Sequence, residues 1–82
     1  MKSSIKKTAN KVEIGERLKL FRESKDISLR DFDKIIGKDY SNLSKIEKGE
    51  RGINEQLLYA LISTYPNFNI KWLLTGQGQM EE

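Results

Sequence analysis

Apolar side chains begin to recur at helical spacing from Val12. Ile14, Leu18 and Phe21 fall at i, i+4 and i+7, with Glu16, Arg17, Lys19 and Glu23 on the other sides, the pattern of an amphipathic helix. This first helix is expected to fade near Lys25 and Asp26. Ser28 then offers an N-cap with Asp31 at the third helical position, a box of the Ser-x-x-acid kind. A short second helix through Phe32, Ile35 and Ile36 stops at Gly37, a residue suited to the position just past a helix end. Asp39 caps a third helix, Tyr40 to about Lys48, ended by Gly49. Asn54 caps a fourth, whose stripe is Leu57, Leu58, Leu61 and Ile62. Pro66 ends it, since it cannot donate the helical hydrogen bond and disfavours a helical Tyr65. Asn69 begins a fifth helix that closes at Gly76. No alternating strand pattern and no internal repeat interrupts these segments. The pattern predicts an all-α fold of five helices.

The third helix is apolar only at Leu43 and Ile46, with Ser41, Asn42, Ser44, Lys45 and Lys48 around them. Between helices two and three stand only Gly37, Lys38 and the Asp39 cap. So short a connection sets two helices at a steep angle, as in a helix-turn-helix. Phe32, Ile36, Leu43 and Ile46 must then share one small core, which turns the Ser41, Ser44 and Lys45 edge outward. The plainer alternative is a small bundle whose turn is merely short and whose Ser and Lys side chains form an ordinary solvated face. Leu18, Phe21, Phe32, Leu43, Ile46 and Leu61 are expected in the core. Ile70, Leu73 and Leu74 give the fifth helix its inward face, which leaves Trp72 either covering the back of helix one or serving an interface.

Composition narrows the chemistry. The chain has 82 residues, a single small domain that buries only about 60 to 65% of its unfolded surface. It has no cysteine and no histidine, which excludes disulfides and ordinary zinc sites and leaves little for acid–base or nucleophilic catalysis. Gly76-x-Gly78 lacks the strand and following helix that a nucleotide site requires, so an enzyme is not expected, and neither is a cofactor. No apolar run is long enough to span a membrane, and no apolar stretch follows the N-terminal lysines as a signal peptide would require. The formal net charge is +3, but its placement matters more than its size. Residues 1–12 carry Lys2, Lys6, Lys7 and Lys11 and no acid, whereas the rest holds eleven basic and twelve acidic side chains. Residues 1–11 therefore read as a flexible basic tail ahead of a domain spanning 12–80. A phosphate-binding surface in that domain would have to come from local clustering.

The stretch "ISLRDFDKIIGKDYSNLSKIEKGERG" resembles the helix-turn-helix of the phage-repressor (Cro/CI, or XRE) family, with the unit proper at about 28–48. Its apolar positions in helix two, its turn glycine and the Ile46-Glu47-Lys48-Gly49 ending match in order and spacing. "LKLFRESKDIS" and "NIKWLLTGQGQM" match the family's first and last helices. The resemblance implies a compact, five-helix, lambda-repressor-like DNA-binding domain. It implies that Tyr40, Ser41, Ser44 and Lys45 face base edges in the major groove, where lysine can donate to guanine and serine serves most bases. Lys48, Arg51 and the helix-four start at Asn54 stand where the family grips phosphate. It also implies an ion pair between Arg22 and Glu47 beneath the recognition face, and a last helix that contributes through Trp72 to contact between copies. Two positions depart from the pattern. Leu29 replaces the glutamine that usually opens helix two, and Asp33 replaces a small residue where helices two and three approach.

Two functions follow from the resemblance. One is a sequence-specific, cytoplasmic DNA-binding regulator, encoded by a bacterium or phage. It would be a repressor, a homodimer at least on double-stranded DNA, with no membrane or small-molecule partner. The other is a protein-interaction module of antitoxin or anti-repressor type that keeps the fold and binds DNA weakly or not at all. The near-neutral body and Asp33 favour the second.

Overall fold

The computed structural model describes residues 10–37 and 43–82. Within them the regular secondary structure is helical, apart from one isolated antiparallel bridge between Phe68 and Glu81. Helix α1 spans Lys11–Ser24 and is capped by Asn10, whose side-chain oxygen accepts from the amides of Val12 and Glu13. Asp26, in the left-handed region at φ 59°, turns the chain toward Ser28. Ser28 caps α2, Leu29–Phe32, by accepting from the amide of Asp31 at 3.1 Å.

Helix α2 runs directly into a wider, π-type turn, Asp33–Gly37. This widening brings Phe32 and Ile36 to the core and leaves Ile35 exposed, so Ile35 is not part of the inward stripe that the sequence pattern gave it. Asp33 also stands exposed, and no polar or charged side chain is fully buried among the described residues. The carboxylate at this position therefore carries no burial cost.

Helix α3 is described over Leu43–Glu47. The Asp39 cap, Tyr40, Ser41 and the turn between helices two and three lie outside the described residues. After α3 the amide of Gly49 donates to the carbonyl of Ile46, and that of Glu50 to the carbonyl of Lys45. This is a Schellman ending, and it requires the left-handed φ of 82° that Gly49 supplies. Helix α4, Glu55–Thr64, is capped by Asn54 and gives way to a non-helical Tyr65 before Pro66. Leu57 and Leu61 are buried on it, Leu58 is half-buried and Ile62 is exposed. One narrow seam meets the core, and Ile62 falls outside it. Helix α5, Ile70–Thr75, is capped by Asn69 and closed by left-handed Gly76.

The core is one cluster comprising Ile14, Leu18, Phe21, Phe32, Ile36, Leu43, Ile46, Leu57, Leu61, Phe68 and Leu73. Every helix contributes to it, which fixes α3 against α1 at its centre. Phe21 is the hub, edge-on to Tyr65 and tilted against Phe32 and Phe68.

Candidate nucleic-acid interface

The exposed side of α3 is built from below. Gly15, buried in the middle of α1, lies against the backbone of α3, where a β-carbon would overlap the Ile46 carbonyl oxygen and stand 3.2 Å from that of Glu47. With no side chain at Gly15, the two helices cross almost backbone to backbone. Leu43 and Ile46 point down into the core, and Ser44 and Lys45 are exposed on the other side. Lys48 and Arg51 are exposed just beyond the helix end.

Arg22 holds this arrangement in register. Its Nε donates to Glu47 Oε2 at 2.9 Å and its second terminal nitrogen donates to Oε1 at 3.1 Å, a bidentate pair. Its remaining terminal nitrogen donates to the carbonyl of Ile27 at 2.8 Å. One guanidinium thus joins α1, the residue preceding the Ser28 cap, and the last residue of α3. The two side chains are only 11% and 6% exposed, so water screens the pair weakly. The hydrogen bond to Glu47 raises the Arg22 pKa above its ordinary value, against an opposing effect of burial, with the Glu47 and Glu23 charges adding to the rise.

Of the residues singled out from the sequence, Ser44, Lys45, Lys48 and Arg51 are each exposed within residues 44–51, with Ile46 and Gly49 buried between them, and Arg22 meets Glu47 on the same stretch. Asn54 follows at the start of α4, where its side-chain oxygen accepts from the amide of Leu57 at 2.8 Å. The asparagine therefore caps the helix. An anion at that end would meet the remaining first-turn amides. Tyr40 and Ser41 lie outside the described residues. Trp72 is half-buried, with its ring edge-on to Phe68 at 6.3 Å.

Sequence reasoning missed three supports. The first is Gly15, although a lone glycine inside a helical pattern is itself a signal of close packing. The second is Arg17, whose Nε donates to the Leu73 carbonyl at 2.7 Å and whose terminal nitrogen donates to that of Leu74, tying α1 to the end of α5. Its partners are backbone carbonyls more than fifty residues away, and no side-chain pattern announces them. The third is the chain end. Asn69 donates to the carbonyl of Met80 and Glu82 to that of Asn67, while Lys25 pairs with Glu81 at 2.8 Å and lies over the rings of Phe21 and Tyr65.

Among the described residues no helix is long and apolar enough to cross a membrane, and no group of side chains is arranged to hold a metal ion. A helical domain with a short polar helix presented outward on a fixed seat is of the helix-turn-helix class. A helix-turn-helix family model matches residues 18–73. The chain belongs to this XRE-type family, which is found in phage repressors and consists of DNA-binding regulatory domains. No curated protein and no solved structure matches the chain.

Proposed function

We propose that the protein is a cytoplasmic transcriptional repressor that binds a two-fold DNA operator as a pair of copies, each laying its third helix in the major groove. Ser44 and Lys45 read bases, joined by Tyr40 and Ser41 from the sequence pattern. Lys48, Arg51 and the start of α4 at Asn54 hold phosphate on either side. The observation that carries this reading is the seat of α3. A short polar helix is locked from beneath by Gly15 and the Arg22–Glu47 pair, while its outward side chains are uncommitted to the core. Rigid presentation of a few polar side chains is what base readout requires.

The domain, 12–80, has little net charge of its own, so solitary binding is weak and useful affinity comes from two copies, aided by the basic tail of residues 1–11. That same near-neutral body favours a second reading, a protein-interaction module with little affinity for DNA. A binding selection against random duplex DNA tests both. Enrichment of a palindrome with half-sites about one helical turn apart supports the repressor. Binding that is absent, or that shows no sequence preference at any salt concentration, supports the interaction module.

A further inference from the structure

Besides Val12 and Ile35, two helix faces of the described domain leave large apolar side chains in water, directed away from the core. On α1 it is Leu20, 53% exposed, set among exposed Glu13, Glu16, Lys19 and Glu23. On α4 it is Tyr59 and Ile62, 74% and 43% exposed. These two are three residues apart, neighbours on one side of the helix. Their surroundings differ in charge. The α1 face carries three carboxylates and one lysine, so two copies meeting there would oppose like charges. Helix α4 carries a single charged residue in its ten, Glu55 at its first turn, and the exposed neighbours of Tyr59 and Ile62 are that one carboxylate with Gln56 and Ser63. In a chain that is 33% charged, so neutral an outward helix face is compatible with its own image. Trp72 is already engaged with Phe68 inside the domain.

We infer that the Tyr59–Ile62 face of α4 is the contact between two copies of this chain, packed across a two-fold axis. This rests on the paired-repressor reading above, and it moves the contact from the last helix to α4. A two-fold axis sets the same patch against itself, so the ring of Tyr59 covers Ile62 of the second copy and the reverse. The area decides how tight such a pair is. A ten-residue helix is about 15 Å long and about 10 to 12 Å across with its side chains. One face of it therefore covers well under the roughly 800 Å² per partner of a standard stable interface. The pair is weak in free solution and closes when DNA holds two copies side by side, which makes binding cooperative and gives the operator its symmetry.

The absence of cysteine makes the test clean. Tyr59→Cys, Ile62→Cys, Leu20→Cys and Lys71→Cys each place one thiol at an exposed position, the last as a reporter for α5. Each variant is oxidised with and without a selected palindromic duplex. Disulfide-linked pairs from the α4 variants, enhanced by DNA and missing from the Leu20 and Lys71 variants, are expected. In parallel, Ile62→Glu should lower two-copy occupancy of the palindrome about ten-fold or more, because a carboxylate is then pressed against the Tyr59 ring of the second copy, while one-copy binding to a half-site is unchanged. Cross-linking through Leu20 or Lys71 but not α4, or full cooperativity in Ile62→Glu, overturns the assignment. If the α4 variants cross-link at high concentration but no duplex is bound, the surface stands and the repressor reading falls.

Discussion

Gly15 sits directly against the carbonyl oxygen of Ile46, with no room for a methyl group between the two helices. Alanine is favoured over glycine inside a helix by about 1 kcal/mol, so Gly15→Ala should stabilise α1 taken alone. In the domain it must push α3 away from α1, which disturbs the Leu43 and Ile46 contacts, and overpacking of this kind costs about 1 to 3 kcal/mol. The expected net result is destabilisation in urea unfolding, with loss of any DNA binding that depends on the seat of α3. A variant more stable than the parent would show that the helices have room to part.

Glu47→Gln tests the pair above that crossing. It keeps the shape of the side chain and removes the charge that Arg22 faces, leaving a guanidinium that is only 11% exposed without its counterion. Removing one partner of a buried pair costs about 3 to 5 kcal/mol. The amide oxygen of glutamine still accepts one hydrogen bond, so about 2 to 4 kcal/mol is expected. A change under about half a kcal/mol in denaturant unfolding would mean that the pair is effectively solvated.

The pH dependence of stability follows from the direction of the Arg22 shift. Its pKa is raised in the folded state, chiefly by the hydrogen bond to Glu47. The stability linked to that shift is fully present below the ordinary arginine pKa and is lost only as pH climbs through the raised value. The chain has no histidine to titrate near neutrality. Between about pH 6 and 9 the urea midpoint should therefore stay nearly level. A marked slope across that range would place a coupled titration elsewhere in the domain.

Helix positions were legible because their signals are local. Ser28, Asn54 and Asn69 each accept from a backbone amide as caps, and Gly49 and Gly76 take the left-handed endings. The core was legible because Leu18, Phe21, Leu43, Ile46 and Leu61 repeat at helical spacing. The exposure of Ile35 and Ile62 was not, since a small core admits only a narrow seam and a π-type turn shifts it. The folding of Gln79–Glu82 back onto Asn67–Asn69 was least legible. It depends on backbone hydrogen bonds and on a lysine lying over two rings, which leave no periodic trace.

Within the exposed face of α3, Lys45 and Arg51 separate base reading from phosphate holding. Lys45→Ala should cost about 1 to 3 kcal/mol on the best site and relax preference at one base pair. Arg51, beyond the helix end, should weaken binding about equally on every sequence when replaced by alanine. Titrations of both variants on the selected site and on single-base variants of it make the comparison. Equal losses from both substitutions across all sequences would defeat the division of roles.

The chain end is the last testable support. Met80 packs partly buried against the core, its carbonyl accepts from the amide of Asn69, and Glu82 donates to the carbonyl of Asn67. Lys25 adds a pair with Glu81 that is about one-third exposed, and such pairs contribute only about 0 to 1 kcal/mol. Its place over the Phe21 and Tyr65 rings adds about 0.5 to 1 kcal/mol. Truncation after Gly78 removes the Met80 contact and both backbone bonds and uncovers Phe68, so it should destabilise the domain by about 2 to 4 kcal/mol. Glu81→Gln alone should cost under about 1 kcal/mol. If the two variants unfold at the same urea concentration, the backbone pairing and Met80 contribute nothing and Lys25 alone holds the end. If truncation leaves the midpoint unchanged, the segment covers Phe68 without supporting it.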